Sequence, residues 1–370
     1  MIIVMLDLKK IEKKCCINKS YLLVLALFLF AATFSKAKEN SISAKISERG
    51  ADKAGFTIST ENKGRDAIII LRKSNIDPAL PDPNMEYVPV TDISELSDVN
   101  ITGEGNAVIH KGALNSEQFI VSNLEHNTDY ALDLYYIADE GKIDLDKSIL
   151  FSTLAKEPEK QTNGIIASIP DGGRVAVMIS EKGDGNKRYL LVGENKEPAM
   201  PEDGIIFNTT TDIRSAAQIN EHTYIIDSDR DYRFDVENLK SSTDYYFTVI
   251  EANGKEEKVN YLTTVANNTD KVKTPPAPPI NLMVTVDNRK RLKAVWEKPE
   301  GAKKYQIDLA TDPDFENKLN LYSGILIDNI DEYTFIGLDK DKYYYLRMRS
   351  VDDNGYSAYT DTLKAKINSL

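Results

Sequence analysis

The sequence of 370 residues predicts an all-β protein made of three tandem β-sandwiches that follow an N-terminal signal peptide. The main observation is a run that occurs three times: a Leu, five mostly polar residues, a Tyr, and then apolar residues at every second position. The copies are residues 124–130, 239–245 and 338–344. Successive Tyr residues are 115 and 99 positions apart, so the repeated unit has the size of a domain and is longer than a solenoid repeat.

Each copy of the run predicts a chain corner followed by a strand. Alternating apolar and polar residues indicate a strand with one buried face, and the polar residues before it suit a connection between two sheets. In β-sandwiches, a Tyr at the start of the sixth strand commonly hydrogen-bonds back to the backbone just upstream. The predicted structural corner residues are Leu124, Tyr130, Leu239, Tyr245, Leu338 and Tyr344.

These runs resemble the fibronectin type III family, in which a Leu six residues before the Tyr seats the corner. The family often has Pro two residues after that Leu, whereas this chain has His126, Ser241 and Lys340. The third unit also has an alternating strand that ends at Trp296 and a facing strand that begins at Tyr305, which is similar to the second and third strands of the family. The resemblance implies immunoglobulin-like sandwiches of the fibronectin type III kind, with Trp296 in the core.

Residues 1–37 have the pattern of an export signal. Basic residues precede an apolar run at 21–34, and Ser35, Lys36 and Ala37 supply a site that a signal peptidase recognises. Fourteen apolar residues are fewer than the roughly 20 that a membrane-spanning helix needs. We therefore predict cleavage after Ala37 and a secreted, periplasmic or cell-surface location, with an uncleaved membrane anchor as the alternative.

The predicted mature chain is acidic and has no cysteine. Cys15 and Cys16 would leave with the signal, so neither disulfides nor thiolate metal sites are expected. The remaining chain has 40 basic and 56 acidic residues, a net charge of −16. Such a surface repels nucleic acid and anionic lipid, and no later apolar run reaches membrane-spanning length. We expect no nucleic-acid partner and no transmembrane span in the mature chain.

Three predicted domains follow the signal, at residues 38–155, 160–268 and 276–370. Polar or proline-rich linkers separate them. The second domain opens with the clearest hairpin, in which residues 165–169 and 174–180 flank an Asp-Gly-Gly turn. A second landmark joins the first two domains, because the proline segments at 78–82 and 198–202 match at an offset of 120. These segments are either binding loops or stiff edges that prevent pairing with another chain.

The sequence predicts no catalytic residue, no cofactor and no metal site. The three histidines, His110, His126 and His222, lack the spacing of a zinc site, and the glycine pairs lack the third glycine of a phosphate loop. The candidate recognition residues are Asp353, Asn354 and Tyr356, in the loop between the last two strands of the third domain. Asn-Gly at 354–355 is also an ordinary hairpin turn.

Two functional classes agree with these features. The first is a non-enzymatic exported or cell-surface protein that acts in adhesion, in protein or glycan binding, or as a spacer in an envelope assembly. The alternative is an accessory or non-catalytic part of a secreted carbohydrate-active enzyme system. A region with clustered catalytic residues outside the repeats would favour the second class, and the sequence shows no such region.

Overall fold

The computed structural model describes residues 42–60, 63–138, 141–172, 174–227, 232–289 and 291–368. The predicted signal peptide at 1–37, both cysteines and the predicted cleavage site lie outside these residues. Strands dominate the described chain, with only short 3-10 turns between them, so the predicted all-β class is confirmed. None of its helices has the length and apolar character that crossing a membrane requires.

The chain forms two compact units. Of the described residues, one unit comprises 42–47, 55–120 and 131–150, and the other comprises 48–54, 121–130 and 151–368. The domain boundaries at 38–155, 160–268 and 276–370 remain a prediction. The strands themselves fall into three successive groups, each with a three-stranded sheet and a larger sheet, which we call the first, second and third sandwich.

The first sandwich contains seven strands: β1 (Ile42–Arg49), β2 (Ala54–Thr60), β3 (Arg65–Lys73), β4 (Asn106–Leu114), β5 (Glu117–Val121), β6 (Asp129–Ile137) and β7 (Ile143–Ser152). Its sheets have the orders β1-β2-β5 and β4-β3-β6-β7. The run 67–71 of β3 is buried at every position. A strand without alternation has both faces covered, which is unusual for the large sheet of an antiparallel sandwich.

The second sandwich contains nine strands: β8 (Asn163–Asp171), β9 (Arg174–Glu181), β10 (Lys187–Glu194), β11 (Ala217–Asn220), β12 (Thr223–Asp227), β13 (Arg233–Val236), β14 (Asp244–Asn253), β15 (Asn260–Tyr261) and β16 (Thr269–Lys273). The sheets are β13-β9-β8 and β11-β12-β10-β14-β15, with β16 also paired to β14. The predicted hairpin is confirmed, since β8 and β9 pair antiparallel with Asp171 opposite Arg174. One apolar cluster joins Val175 and Val177 of the small sheet to Leu190, Phe247 and other residues of the large sheet, which makes this a sandwich.

The third sandwich contains eight strands: β17 (Ile280–Val286), β18 (Leu292–Glu297), β19 (Lys304–Ala310), β20 (Lys318–Asp328), β21 (Glu332–Thr334), β22 (Tyr343–Asp352), β23 (Gly355–Tyr356) and β24 (Leu363–Lys366). Its sheets are β17-β18-β21 and β20-β19-β22-β23, with β24 also paired to β22. Trp296 of β18 packs in a core cluster with Tyr305 and Ile307 of β19 and with Met348 of β22. The alternation read from the sequence thus points into a core shared by two sheets.

Candidate functional site

The three corners have the same hydrogen bond. The backbone N–H of Glu125 donates to Tyr130 Oη at 2.9 Å. The equivalent donors are Lys240 to Tyr245 at 3.1 Å and Asp339 to Tyr344 at 2.8 Å. Each donor directly follows the Leu of the run. Leu124 is buried, and Leu239 and Leu338 are partly buried against the cores of their sandwiches.

The backbone of the corners also repeats, at positions that the Leu and Tyr pattern does not mark. Two residues of each corner have a positive φ, one just before the Leu and one three residues before the Tyr. They are Asn123, Asn238 and Gly337, with φ of 56°, 60° and 69°, and Asn127, Ser242 and Asp341, with φ of 54°, 51° and 62°. Five of these six residues are Asn, Asp or Gly, which accept this left-handed region best, and Ser242 is the exception. The recurrence of Asn, Asp and Gly at these positions was a signal that the sequence carried.

The corner tyrosines are structural groups. Burial raises the pKa of Tyr245 to about 12 and also raises the pKa of Tyr344. Both phenols therefore keep their protons at neutral pH. The Tyr344 hydroxyl donates that proton back to the carbonyl of Asp339 at 3.1 Å, which closes a two-way contact across the corner.

The predicted recognition residues lie on the hairpin between β22 and β23. Asp353 forms an ion pair with Lys303, and Asn354 donates to the carboxylate of Asp352 at 2.6 Å and 2.9 Å. These contacts join Asp353 and Asn354 to the loop itself and to Lys303, which directly precedes β19. Tyr356 is 36% exposed, and its ring lies 4.2 Å from the guanidinium carbon of Arg349. Of the three residues, Tyr356 is the one that joins the loop to a larger surface.

That surface is an arginine–aromatic ladder on the outer face of the large sheet of the third sandwich. The guanidinium of Arg347 lies 4.1 Å from the ring centre of Phe315 and 4.0 Å from that of Tyr359. Arg349 lies 4.6 Å from Tyr359 and 4.2 Å from Tyr356. Alternating cations and rings attract one another through the ring quadrupole, which holds long arginine side chains in place.

Sequence reasoning missed this ladder, although β22 carries a signal for it. Residues two apart on a strand share a face. Tyr343, Tyr345, Arg347 and Arg349 therefore lie on one face, opposite the core residues Tyr344, Leu346 and Met348. The prediction used only the inward half of the alternation, because that half identifies the fold.

A buried carboxylate lies on the large sheet of every sandwich and is paired with arginine. Arg72 Nε donates to Asp133 at 2.7 Å in the first sandwich, and Arg188 donates to both oxygens of Glu251 at 2.6 Å and 3.0 Å in the second. In the third, Asp308 accepts two hydrogen bonds from the guanidinium of Arg347, at 3.1 Å and 3.2 Å, and one from Lys318 at 3.1 Å. The acid and the arginine exchange positions between the first and third sandwiches. The third residue after the corner Tyr is the acid, Asp133, in the first sandwich and the arginine, Arg347, in the third.

The charges around Asp308 determine its titration. Burial acts to raise its pKa, but the hydrogen bonds from Lys318, Tyr359 and Arg347 outweigh burial and hold the pKa below its ordinary value. Asp308 is consequently ionised at neutral pH. It is a structural anion that fixes the position of Arg347 in the ladder.

The proline segments of the first two sandwiches are anchored alike. The N–H of Ala79 donates to Asn106 Oδ1 at 3.1 Å, and the N–H of Ala199 donates to Thr223 Oγ1 at 3.0 Å. Asn106 and Thr223 are the buried first residues of β4 and β12. The chain that follows each segment runs across the outer face of the large sheet, where Tyr87 in the first sandwich and Phe207 in the second pack into apolar clusters. This packing explains why β3 is buried on both faces.

The groups of side chains that hold metal ions are not found in the described part of the chain, where no three His, Cys, Asp or Glu residues cluster suitably. His110 lies on β4, where its ring packs edge-on against Phe119 at 5.5 Å and Nδ1 is 3.5 Å from Glu117. His222 lies in a turn, and its Nε2 is 2.9 Å from Glu221 Oε1.

Of the three comparisons with known proteins, only the search of solved structures gives a match. No family model matches the sequence. The search of curated proteins also found no match. Among solved structures, the chain is similar to the FN1–FN3 domains of chicken CNTN1, with 12% identity and a TM-score of 0.24, over 90% of this chain and 99% of that one.

Proposed function

We propose that the chain is a non-enzymatic exported or cell-surface modular protein that acts in adhesion, in protein or glycan binding, or as a spacer in an envelope assembly. The observation that carries this proposal is the constant corner combined with a variable outer face. All three sandwiches have the same Tyr hydrogen bond, whereas their large sheets present a loop-covered apolar face twice and an arginine–aromatic ladder once. When a framework is constant, specificity resides in what it displays.

The buried carboxylates support the same proposal. A catalytic carboxylate needs a free proton-exchange position in a cleft. Asp133 and Glu251 are each held by an arginine and by a hydroxyl, from Ser148 and Thr162 respectively, at 2.5 Å. Their lone pairs are used to hold strands and loops together.

Export is tested by locating the chain in the organism that makes it. Antibodies against the purified chain would compare medium, protease-treated intact cells and cell interior, and mass spectrometry would give the N-terminus. We expect the chain in the medium or on the protease-accessible surface, beginning near Lys38. A chain protected inside the cell would contradict the proposal, and a surface chain that retains residues 21–34 would indicate the anchor alternative.

Surface binding is tested by cross-linking on intact cells followed by mass spectrometry. We expect a protein or glycan to be captured by the wild-type chain and lost with Tyr356→Ala, because Tyr356 is the exposed end of the ladder. Tyr232→Ala is a matched control: Tyr232 is 50% exposed and its ring also packs on a cation, Lys182 at 4.3 Å. Equal capture by both variants would remove the ladder from the proposed function.

A further inference from the structure

A cleft of about 340 Å³ lies on the outer face of the second sandwich, beside its proline segment. Its floor includes two cross-strand pairs, Tyr246 with Lys271 and Thr248 with Thr269, from β14 and β16. Pro198 and other residues of the proline segment line it as well. This volume falls within the roughly 300–1,000 Å³ of small-molecule sites.

The floor of the cleft carries a hydroxyl group. Phe247 and Val249 point into the core, so Thr248 between them points to the opposite face, where the cleft lies. Thr248 is only 3% exposed, and the exposed part lines the cleft. A hydroxyl can donate one hydrogen bond and accept others. A ligand with its own hydroxyl groups can form such bonds at the floor of the cleft.

The charges at the cleft disfavour an anion. Lys271 Nζ is already bonded to Tyr246 Oη at 2.9 Å and lies 3.5 Å from Asp244. Two carboxylates, Glu197 and Asp270, line the same cleft. One engaged cation among these acids does not attract a negatively charged ligand.

The lining also favours a ligand with an apolar side. Met200 and Val265 lie beside Pro198 around the cleft, and Val265 is 54% exposed. Small-molecule sites typically combine an apolar lining with a few polar groups that fix orientation. A sugar ring meets both demands, because its hydroxyl groups suit Thr248 and Glu197 while its C–H face suits the apolar residues.

We propose that this cleft binds a neutral saccharide, with the Thr248 hydroxyl hydrogen-bonded to a sugar hydroxyl. The inference names a ligand class for the binding role proposed above, and it rests on the proposed function only through that role. Saccharide binding by the purified chain does not depend on export, so failure of either experiment leaves the other readable.

The test uses the purified chain with maltotriose, cellotriose and triacetylchitotriose as probes, followed by saturation-transfer NMR and titration. We expect at least one trisaccharide to bind and Thr248→Val to weaken it about tenfold or more, because the variant keeps the shape and removes the hydroxyl. Thr248→Ser keeps the hydroxyl and should retain binding. Thr285→Val, at an exposed position of β17, is the control for the substitution itself.

Three results would overturn the inference. They are the absence of binding by all three trisaccharides, binding that Thr248→Val leaves unchanged, and binding of inorganic phosphate or glucuronate in preference to the neutral sugars. Thermal unfolding of each variant separates loss of the site from loss of the fold. If Thr248→Val does not fold, unaltered binding by Thr248→Ser with loss in Met200→Glu, which fills the cleft with a charge, supports the site.

Discussion

The second and third sandwiches have the same corner and different outer faces. In the second, Tyr189 and Leu191 of β10 are buried in an apolar cluster with Met200 of the proline segment and with Phe207, which follows that segment. In the third, the equivalent strand β19 carries polar Gln306 and Asp308, which bond to arginines of β22. The chain between the third strand of the sandwich and the next spans residues 195–216 in one case and 311–317 in the other.

This difference shows which part of the sequence determines each property. The inward residues and the corner build the sandwich, whatever lies outside. The length of one connection then decides whether the outer face becomes a second core or a surface. A short connection cannot cover the sheet, so its outer residues must be polar or charged.

The largest effect is expected from removing the arginine that neutralises each buried carboxylate. Arg188→Met leaves Glu251 buried without a cation, which should destabilise the second sandwich by about 3–5 kcal/mol. Arg347→Met leaves Asp308 with Lys318 and with the N–H of Gly324 at 2.8 Å, so the cost should be smaller, about 1–3 kcal/mol.

Amide hydrogen exchange of β14 and β22 in the whole chain measures the two effects locally, since a chain of several domains need not unfold in one step. Charge-conserving Arg188→Lys and Arg347→Lys are the matched controls. Equal loss of protection in the two Met variants would show that the inward-facing pair of the second sandwich depends on its arginine no more than the pair on the open face of the third.

The next effect concerns the tight turn that starts the proline segment. A Cβ on Gly193 would lie 2.1 Å from the carbonyl oxygen of Lys196 and 2.8 Å from the nitrogen of Pro198. Both are backbone atoms and cannot rotate away, so Gly193→Ala should cost the upper part of about 1–3 kcal/mol and displace the segment from the sheet. Hydrogen exchange should rise in β10 and β12. Unchanged exchange there would mean that the segment does not protect the face.

The framework was predictable from the sequence because its signals are local and periodic. Alternation and the Leu-to-Tyr spacing identified the strands that lead into the cores, and the Asp-Gly-Gly turn identified the β8–β9 hairpin. The outer faces could be predicted less well from the sequence. Whether Leu191 is covered depends on how the connection after β10 folds back over the sheet, and no period in the sequence encodes that.

The site residues show the same limit. Tyr356 could be named from its loop, whereas its partner Arg349 could have been found only by following the outward half of β22. The cleft at Thr248 depends on β14, β16 and the proline segment meeting in space. Those three segments are far apart in the chain, and their sequences carry no shared motif.

A smaller effect tests whether the corner hydrogen bond, which has the same geometry in both sandwiches, also contributes equally to their stability. Tyr245→Phe and Tyr344→Phe each leave one backbone N–H of the corner without its acceptor, which should cost about 1–2 kcal/mol in both sandwiches. Fluorescence of Trp296, the one Trp in the chain, reports on the third sandwich, and hydrogen exchange of β14 reports on the second. Tyr343→Phe, on the exposed side of β22, is the control. A cost confined to one sandwich would end the equivalence.

The smallest effect is the acid dependence of the buried carboxylate on the open face. The pKa of Asp308 is lower in the folded chain than its ordinary value, so ionised Asp308 stabilises the fold at neutral pH. That contribution is fully present above the unfolded value of about 3.9 and is lost as pH falls through the folded value. Trp296 fluorescence in urea at a series of pH values should therefore show stability that is level near neutrality and declines below about pH 4.

Asp308→Asn isolates this contribution. The partly exposed Asp287 and Asp312 of the third sandwich also have lowered pKa values, through hydrogen bonds from neighbouring backbone N–H groups, and they contribute to the acid slope of both chains. The variant should be less stable at neutral pH, because Arg347 and Lys318 lose their anion. It should also lose less stability on acidification, so the two curves converge at low pH. Parallel curves would show that Asp308 titrates alike in the folded and unfolded chains, and that the cations around it do not act on its charge.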